Sequence, residues 1–235
     1  MSRADVGRAA AVLAGIATIN VLAQRSRLPG DAIVPLGALA ILTAARASGL
    51  TTEELGLDPS ANRRGAARGA LAAAVTVGTL SAASWLPVAQ GFRVDTRYPS
   101  TSAAARGALV TIPLATAVPE EILFRSVLDA ALFRVLSPPA ATAAGTAAFG
   151  LWHFLGALSL PSDNAGIGDL MADRRGARLA SAAGAVLATG VGGLLFSALR
   201  RRTDSVAAPI AVHWALNATA ALAAGMRWRR TALAD

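Results

Sequence analysis

The chain has 235 residues, of which 54% are hydrophobic and 15% are charged, and it contains no cysteine. These values exclude a disordered chain, a disulfide scaffold and any site built on thiolates, and they disfavour an ordinary soluble domain. The formal net charge is +8, and all 22 basic residues are arginines that lie between apolar runs. Because they form no contiguous basic patch, we expect no nucleic-acid partner.

Long apolar stretches follow one another along the chain, and several reach the roughly 20 residues that a helix needs to cross a bilayer. Backbone groups in lipid must be satisfied internally, so we predict an all-α, polytopic integral membrane bundle of about seven transmembrane helices. The predicted helices cover about residues 8–24, 31–49, 69–88, 107–136, 139–160, 177–199 and 205–227. Membrane lipid is therefore an expected partner.

The domain organisation is predicted from these helices. Residues 1–104 hold the first three helices with their loops, residues 105–227 form a catalytic helical core, and residues 228–235 form a short basic tail. Arginines before the first apolar run also fit a secretory signal, but Arg25 and Arg27 beyond it favour a retained helix. Arginine counts on the two sides are nearly equal, so they do not predict the orientation.

Near its middle, the fourth predicted helix carries four charges, Glu120, Glu121, Arg125 and Asp129. A charged group at bilayer depth costs about 3 kcal/mol or more, so such a cluster indicates function. Glu121 and Arg125 are spaced as an ion pair, and Asp129, one turn further, predicts that Arg125 lies between two carboxylates. Glu120 is rotated about 100° from Glu121, which leaves it free to act as a base. Pro119 suits a first turn, so the carboxylates are expected where a broken helix begins.

The two histidines of the chain, His153 and His213, both lie in predicted membrane helices. A lone histidine there is more often a polar contact between helices, but two beside a glutamate pair favour a catalytic site. Asn217 follows His213 by four residues, so both side chains could donate hydrogen bonds to one atom. Phe149 precedes His153 by one turn, and we expect it to wall the site.

Three segments resemble the motifs of the CPBP family: E-E-x-x-x-R at 119–125 (PEEILFR), F-x-x-x-H at 149–153 (FGLWH) and H-x-x-x-N at 209–217 (PIAVHWALN). This family, also called Abi, comprises type II CAAX prenyl endopeptidases and bacteriocin-processing and immunity proteins of bacteria. The resemblance covers about residues 105–225, with Ser126 where the family commonly has glycine. It implies an intramembrane endopeptidase of the bacterial plasma membrane that cleaves a peptide or a lipidated protein, such as a prenylated CAAX-type substrate.

Peptide hydrolysis needs an activated water, a group that stabilises the oxyanion and a proton donor for the leaving amine. We assign water activation to Glu120 with His153, and oxyanion stabilisation to His213 with Asn217. Glu121 and Arg125 would then fix Glu120 without reacting. Glu120, His153 and His213 also form a plausible three-ligand site for Zn²⁺ or another divalent metal, so metal-dependent and glutamate-dependent chemistry both stay open.

Alternative functions fit the sequence less well. A catalytically idle scaffold or bacteriocin-immunity protein of the same fold is the alternative, although a scaffold has no need to bury so much polarity. A proton-coupled transporter predicts repeated halves, which the sequence does not display. Residues 166–169 (GIGD) match a motif of aspartyl intramembrane proteases, but no second aspartate in a membrane helix is evident to pair with Asp169. Substrate identity, cut position and oligomeric state do not follow from the sequence.

Overall fold

The computed structural model describes residues 2–86, 95–163 and 176–231, with side chains described as far as residue 226. Within these ranges the chain is helical and has no β-strand, so the predicted all-α class is confirmed. The helices are α1 (Arg3–Arg25), α2 (Gly30–Ala47), α3 (Pro59–Ala83), α4 (Thr101–Phe133), α5 (Pro138–Trp152), α6 (Phe154–Ala157), α7 (Leu160–Asp163), α8 (Ala177–Thr203) and α9 (Ala207–Thr231). Residues 166–169 and the end of the predicted tail lie outside the described residues.

Six of the helices in the described ranges, α1, α2, α3, α4, α8 and α9, are long and apolar enough to cross a membrane. The predicted count of about seven is therefore close. The difference lies at 139–160, where the expected single helix is the 15-residue α5 followed by the short α6 and α7. The break falls at His153, whose N–H donates to the carbonyl of Gly150 and so closes a tighter turn.

Helix α3 begins at Pro59, well before the predicted start near residue 69. Asp58 caps it, because its carboxylate accepts hydrogen bonds from the N–H groups of Ser60 and Ala61, and Pro59 suits the first helical position. The first turns of α3 carry Arg63 and Arg64 on an exposed face. The helix thus includes a charged first part, whereas the apolar run alone predicted a later start.

Helix α4 is continuous through Pro119, so the expected broken helix is wrong at this point. Its hydrogen-bonding pattern changes instead: π-helical stretches at Gly107–Ala117 and Ile122–Leu128 flank one α-helical turn at Val118–Glu121. The first stretch contains Pro113, which has no N–H to donate to the ladder. Such π-helical insertions often occur at functional sites, and here they bracket the turn that carries both glutamates.

Small residues bring the helices together. A Cβ added to Gly69 of α3 would lie 2.7 Å from the Cα of Ala208 in α9, and one added to Gly65 would collide with Ser205. Close backbone approach of this kind is typical of helix packing in lipid. Many large apolar side chains, among them Leu71, Leu187 and Val191, point outward. These exposed apolar faces suit contact with acyl chains.

Candidate active site

Glu120 lies in the α-helical turn of α4, and its carboxylate is buried. Its Oε1 atom accepts a hydrogen bond of 3.1 Å from Nε1 of Trp152. Its Oε2 atom has no hydrogen-bond partner among the described residues and lies 3.8 Å from Nε2 of His153 and 3.9 Å from Nε2 of His213. One oxygen is thus held in place, while the other faces two imidazoles at distances that admit a bridging water.

Glu121 is fully buried and contacts His213. Its Oε1 atom lies 2.8 Å from Nδ1 of His213, and its Oε2 atom lies 3.4 Å from Nε of Arg125. The sequence led us to expect that Glu121 and Arg125 fix Glu120, whereas Glu121 orients His213 and Arg125 contacts Glu121. Because Nδ1 faces the carboxylate of Glu121, the Nε2 atom is the one that His213 directs to Glu120.

Arg125 is buried among aromatic rings. Its Cζ atom lies 3.9 Å from the centre of the Phe149 ring and 5.2 Å from that of Phe196, a cation–π arrangement. Its Nη2 atom donates a hydrogen bond of 3.2 Å to the carbonyl of Gly193. Phe149, which was expected to wall the site, therefore also covers the guanidinium that accompanies Glu121.

Asp129 does not complete the expected arrangement. Among the ion pairs of the described residues, Arg125 pairs with Glu121, and none includes Asp129. The carboxylate of Asp129 is buried against α5, where a Cβ added to Gly145 would lie 2.6 Å from its Oδ1 atom. The expectation that Arg125 lies between two carboxylates is therefore wrong, because Asp129 turns toward the glycine face of the next helix.

His153 follows the last residue of α5. Its Nδ1 atom lies 2.9 Å from the carbonyl oxygen of Phe149, so Nδ1 carries a proton that it donates to this oxygen. In the neutral ring, Nε2 then has a free lone pair, and it is the atom that faces Glu120. The break after α5 thus presents a proton acceptor beside the unpartnered carboxylate oxygen.

The four residues predicted as catalytic line one cavity of about 830 Å³. Glu120, His153, His213 and Asn217 come from α4, the end of α5 and α9, so the structure brings three separate helices to one space. Its other walls include small residues of α8 and α9: Ala185, Ala188, Gly192, Ala220 and Ala221. A volume of this size is in the range of ligand sites, and it suits a segment of peptide.

Metal binding was predicted at Glu120, His153 and His213. In the described parts of the chain, no group of three His, Cys, Asp or Glu side chains is placed to hold a metal ion. The donor set as arranged does not fit a resident metal ion. Zinc binding at these residues stays a prediction from the sequence.

Two aromatic residues of the site were missed in the sequence. Trp152 donates a hydrogen bond to Glu120. Its position next to His153 could have indicated this role, because a buried indole N–H usually has a hydrogen-bond partner. Phe196 stacks on the ring of His213, with centres 4.9 Å apart and planes at 16°. It lies in an apolar run of α8 without a motif, so nothing in the sequence distinguished it from other core residues.

Comparison with known proteins supports the resemblance. Residues 103–219 match the family model of the Rce1-like type II CAAX prenyl endopeptidases, close to the range of 105–225 that the motifs suggested. This range includes all four residues predicted as catalytic. No curated protein and no solved structure matches the chain. Through residues 103–219, the chain belongs to the Rce1-like type II CAAX prenyl endopeptidases, a family of membrane proteases.

Proposed function

We propose that this protein is a glutamate-dependent intramembrane endopeptidase that hydrolyses a peptide bond in a membrane-associated, prenylated CAAX-type substrate. One observation carries the proposal. The Oε2 atom of Glu120 lacks a partner among the described residues and faces Nε2 of both His153 and His213 inside a cavity of about 830 Å³. A buried carboxylate that faces open space in this way is suited to a catalytic base.

In the first step, a water bound between Glu120 and His153 loses a proton to Oε2 of Glu120 as its oxygen attacks the scissile carbonyl carbon. Nε2 of His153 accepts the second hydrogen bond from this water and so orients a lone pair toward the substrate. The carbon–oxygen double bond opens, and negative charge develops on the carbonyl oxygen. The hydrogen bond from Trp152 holds the carboxylate in position during the attack.

The oxyanion would be stabilised by His213 and Asn217, which project from one face of α9 into the cavity. Since Nδ1 of His213 donates to Glu121, His213 carries both ring protons when Nε2 donates to the oxyanion. The buried carboxylate of Glu121 balances this positive charge. When the intermediate collapses, the carbon–nitrogen bond breaks, and the protonated Glu120 returns its proton to the leaving amine.

The proposed substrate follows from the family and from the location of the site. Glu120, His213 and Asn217 lie on helices suited to a membrane. The peptide bond therefore has to reach them from a chain held at the lipid surface. We propose the bacterial plasma membrane, because the resembling CPBP family includes bacterial processing proteins. Membrane lipid and a lipidated protein or peptide are the proposed partners.

The proposal is tested with purified protein in liposomes and two peptides that share one CAAX-type sequence, of which only one is farnesylated. We expect one cut in the farnesylated peptide, mapped by mass spectrometry. His153→Ala should abolish the cut, and Asn217→Ala should lower kcat about 100- to 1,000-fold, as loss of one oxyanion donor does. Full turnover by His153→Ala would contradict the mechanism.

Two further outcomes separate the alternatives. If the wild-type protein cleaves neither peptide, the function as an endopeptidase is wrong, and an idle scaffold or immunity protein is the better interpretation. Treatment with a metal chelator should leave the cut in place. Activity that is lost on chelation and restored by zinc would replace the glutamate-dependent mechanism with a metal-dependent one.

A further inference from the structure

Asn20 is a buried polar side chain in α1, outside the residues that match the family. Within the described residues 2–86 it is the one polar side chain that is buried. Its neighbours in the core, such as Ile16 and Ile19, are apolar. A polar group in such surroundings is costly unless it is hydrogen-bonded. The hydrogen-bond partner of Asn20 therefore indicates the role of this side chain.

The partner of Asn20 is the backbone of Trp152. Nδ2 of Asn20 donates a hydrogen bond of 2.7 Å to the carbonyl oxygen of Trp152, across 132 positions of sequence. Trp152 is the last residue of α5, where backbone carbonyls lose their partners within the helix. Asn20 thus fixes the backbone at the point where α5 ends and His153 begins a new turn.

Trp152 connects this contact to the carboxylate of Glu120. Its backbone accepts from Asn20, and its indole Nε1 donates to Oε1 of Glu120. The indole also packs against Phe124, whose ring centre lies 5.6 Å away in an edge-to-face arrangement. With the backbone and the ring both fixed, Oε1 is engaged, and Oε2 is left to face the two histidines.

We propose that Asn20 and Trp152 are positioning residues that set the orientation of the Glu120 carboxylate. The inference rests on the proposed function, since it assigns a task to the base of that mechanism. It also gives α1, which lies outside residues 103–219, a role in positioning the catalytic base. Neither residue touches the reacting atoms, and both act through Glu120.

Steady-state kinetics in liposomes test this proposal. Trp152→Phe removes the donor to Glu120 and Asn20→Leu removes the donor to Trp152. We expect kcat to fall about 10- to 100-fold for both, with KM little changed, because a displaced base affects the transition state more than substrate binding. Asn20→Gln, which keeps an N–H donor, should recover part of the loss. Trp85→Phe and Thr18→Ala are matched controls at exposed positions and should keep the wild-type kcat.

The kinetic results overturn the inference in two cases. If kcat per folded molecule is unchanged while the melting temperature falls, Asn20 and Trp152 serve only stability. If all variants equal the controls, the contacts have no catalytic role, while the endopeptidase proposal survives. Failure of the wild-type protein to cleave would instead contradict the proposed function.

A spectroscopic measurement tests the geometry without any turnover. The chain has four tryptophans, so ¹⁵N-labelled protein gives four indole N–H signals, and Trp152→Phe identifies the signal of Trp152. We expect Glu120→Gln and Asn20→Leu each to shift that signal and to leave the signal of Trp85 in place. A Trp152 signal that ignores both changes would overturn the proposed positioning.

Discussion

Nδ1 of His213 lies 2.8 Å from Oε1 of Glu121, and both side chains are buried. The second motif glutamate therefore orients an imidazole and is not a second base beside Glu120. The same carboxylate lies 3.4 Å from Nε of Arg125, so one buried anion contacts both the guanidinium and the imidazole. The two adjacent glutamates thus have different contacts: Glu120 faces the imidazoles of His153 and His213 with its Oε2 atom, and Glu121 contacts Nδ1 of His213.

Glu121→Gln should lower kcat on the order of 100-fold, because the amide keeps the shape of the side chain but no longer balances a doubly protonated His213. KM should change little, since Glu121 does not line the cavity with Glu120. The measurement is cleavage of the farnesylated peptide under saturating conditions. An unchanged kcat would show that His213 does not work as a charged donor.

Arg125→Ala should act through stability. It removes the counter-charge of the buried Glu121 and empties the space above Phe149, and breaking a buried pair costs about 3–5 kcal/mol. Thermal unfolding in detergent and the yield of folded protein measure the effect, with Arg63→Ala at an exposed position as the control. Normal yield and stability combined with lost cleavage would instead make Arg125 a member of the catalytic group.

The ion pair between Glu54 and Arg134 predicts a pH dependence outside the membrane spans. The hydrogen bonds from the Arg134 guanidinium, at 2.7 Å, hold the pKa of the Glu54 carboxyl below its ordinary value of 4.5. A lowered carboxyl pKa stabilises the fold above that ordinary value, and the stabilisation is lost as the pH falls through the lowered pKa.

Glu54→Gln should therefore reduce stability at neutral pH by about 1 kcal/mol or less, as partly exposed pairs do. The difference in melting temperature from the wild-type protein should shrink as the pH falls below 4.5. A difference that stays constant across that range would mean that the pair does not contribute through its charge.

Gly192 tests whether the cavity holds the substrate. It lines the cavity, and the atom nearest to a Cβ added there is Cε2 of Phe196 at 4.0 Å, so a larger side chain would project into the space. Gly192→Leu should lower kcat/KM at least about tenfold by blocking a fitted site. Gly184→Leu, on an exposed face of the same helix, is the matched control. Equal activity of the two variants would place the substrate elsewhere.

The fold class followed from the apolar runs, because a chain in lipid has to satisfy its backbone by helices. Local geometry did not follow. Helix α5 ends at Trp152 within an apolar stretch that reads as continuous, and the π-helical stretches of α4 leave no pattern that a period of 3.6 residues would detect. At the end of α5, the contact of Asn20 with Trp152 comes from a helix that is distant in the sequence.

In the candidate site, too, some features could be predicted from the sequence and others could not. Glu120, His153 and His213 were predicted because charge and imidazole are costly in lipid, and Asn217 because it follows His213 by one turn. Which glutamate contacts which histidine depends on how α4 and α9 are rotated against each other, and spacing along one helix cannot determine this. The Trp152 hydrogen bond joins α5 to α4, so it too was visible only in three dimensions.

Glu120 is proposed to activate the attacking water, and the cleavage rate of Glu120→Gln measures that role. The variant keeps the size of the side chain and removes the base, while Glu53→Gln makes the same change at an exposed carboxylate. We predict that Glu120→Gln lowers kcat by about 100- to 10,000-fold and folds normally, and that Glu53→Gln cleaves like the wild-type protein. Equal cleavage by the two variants would show that Glu120 is not the base.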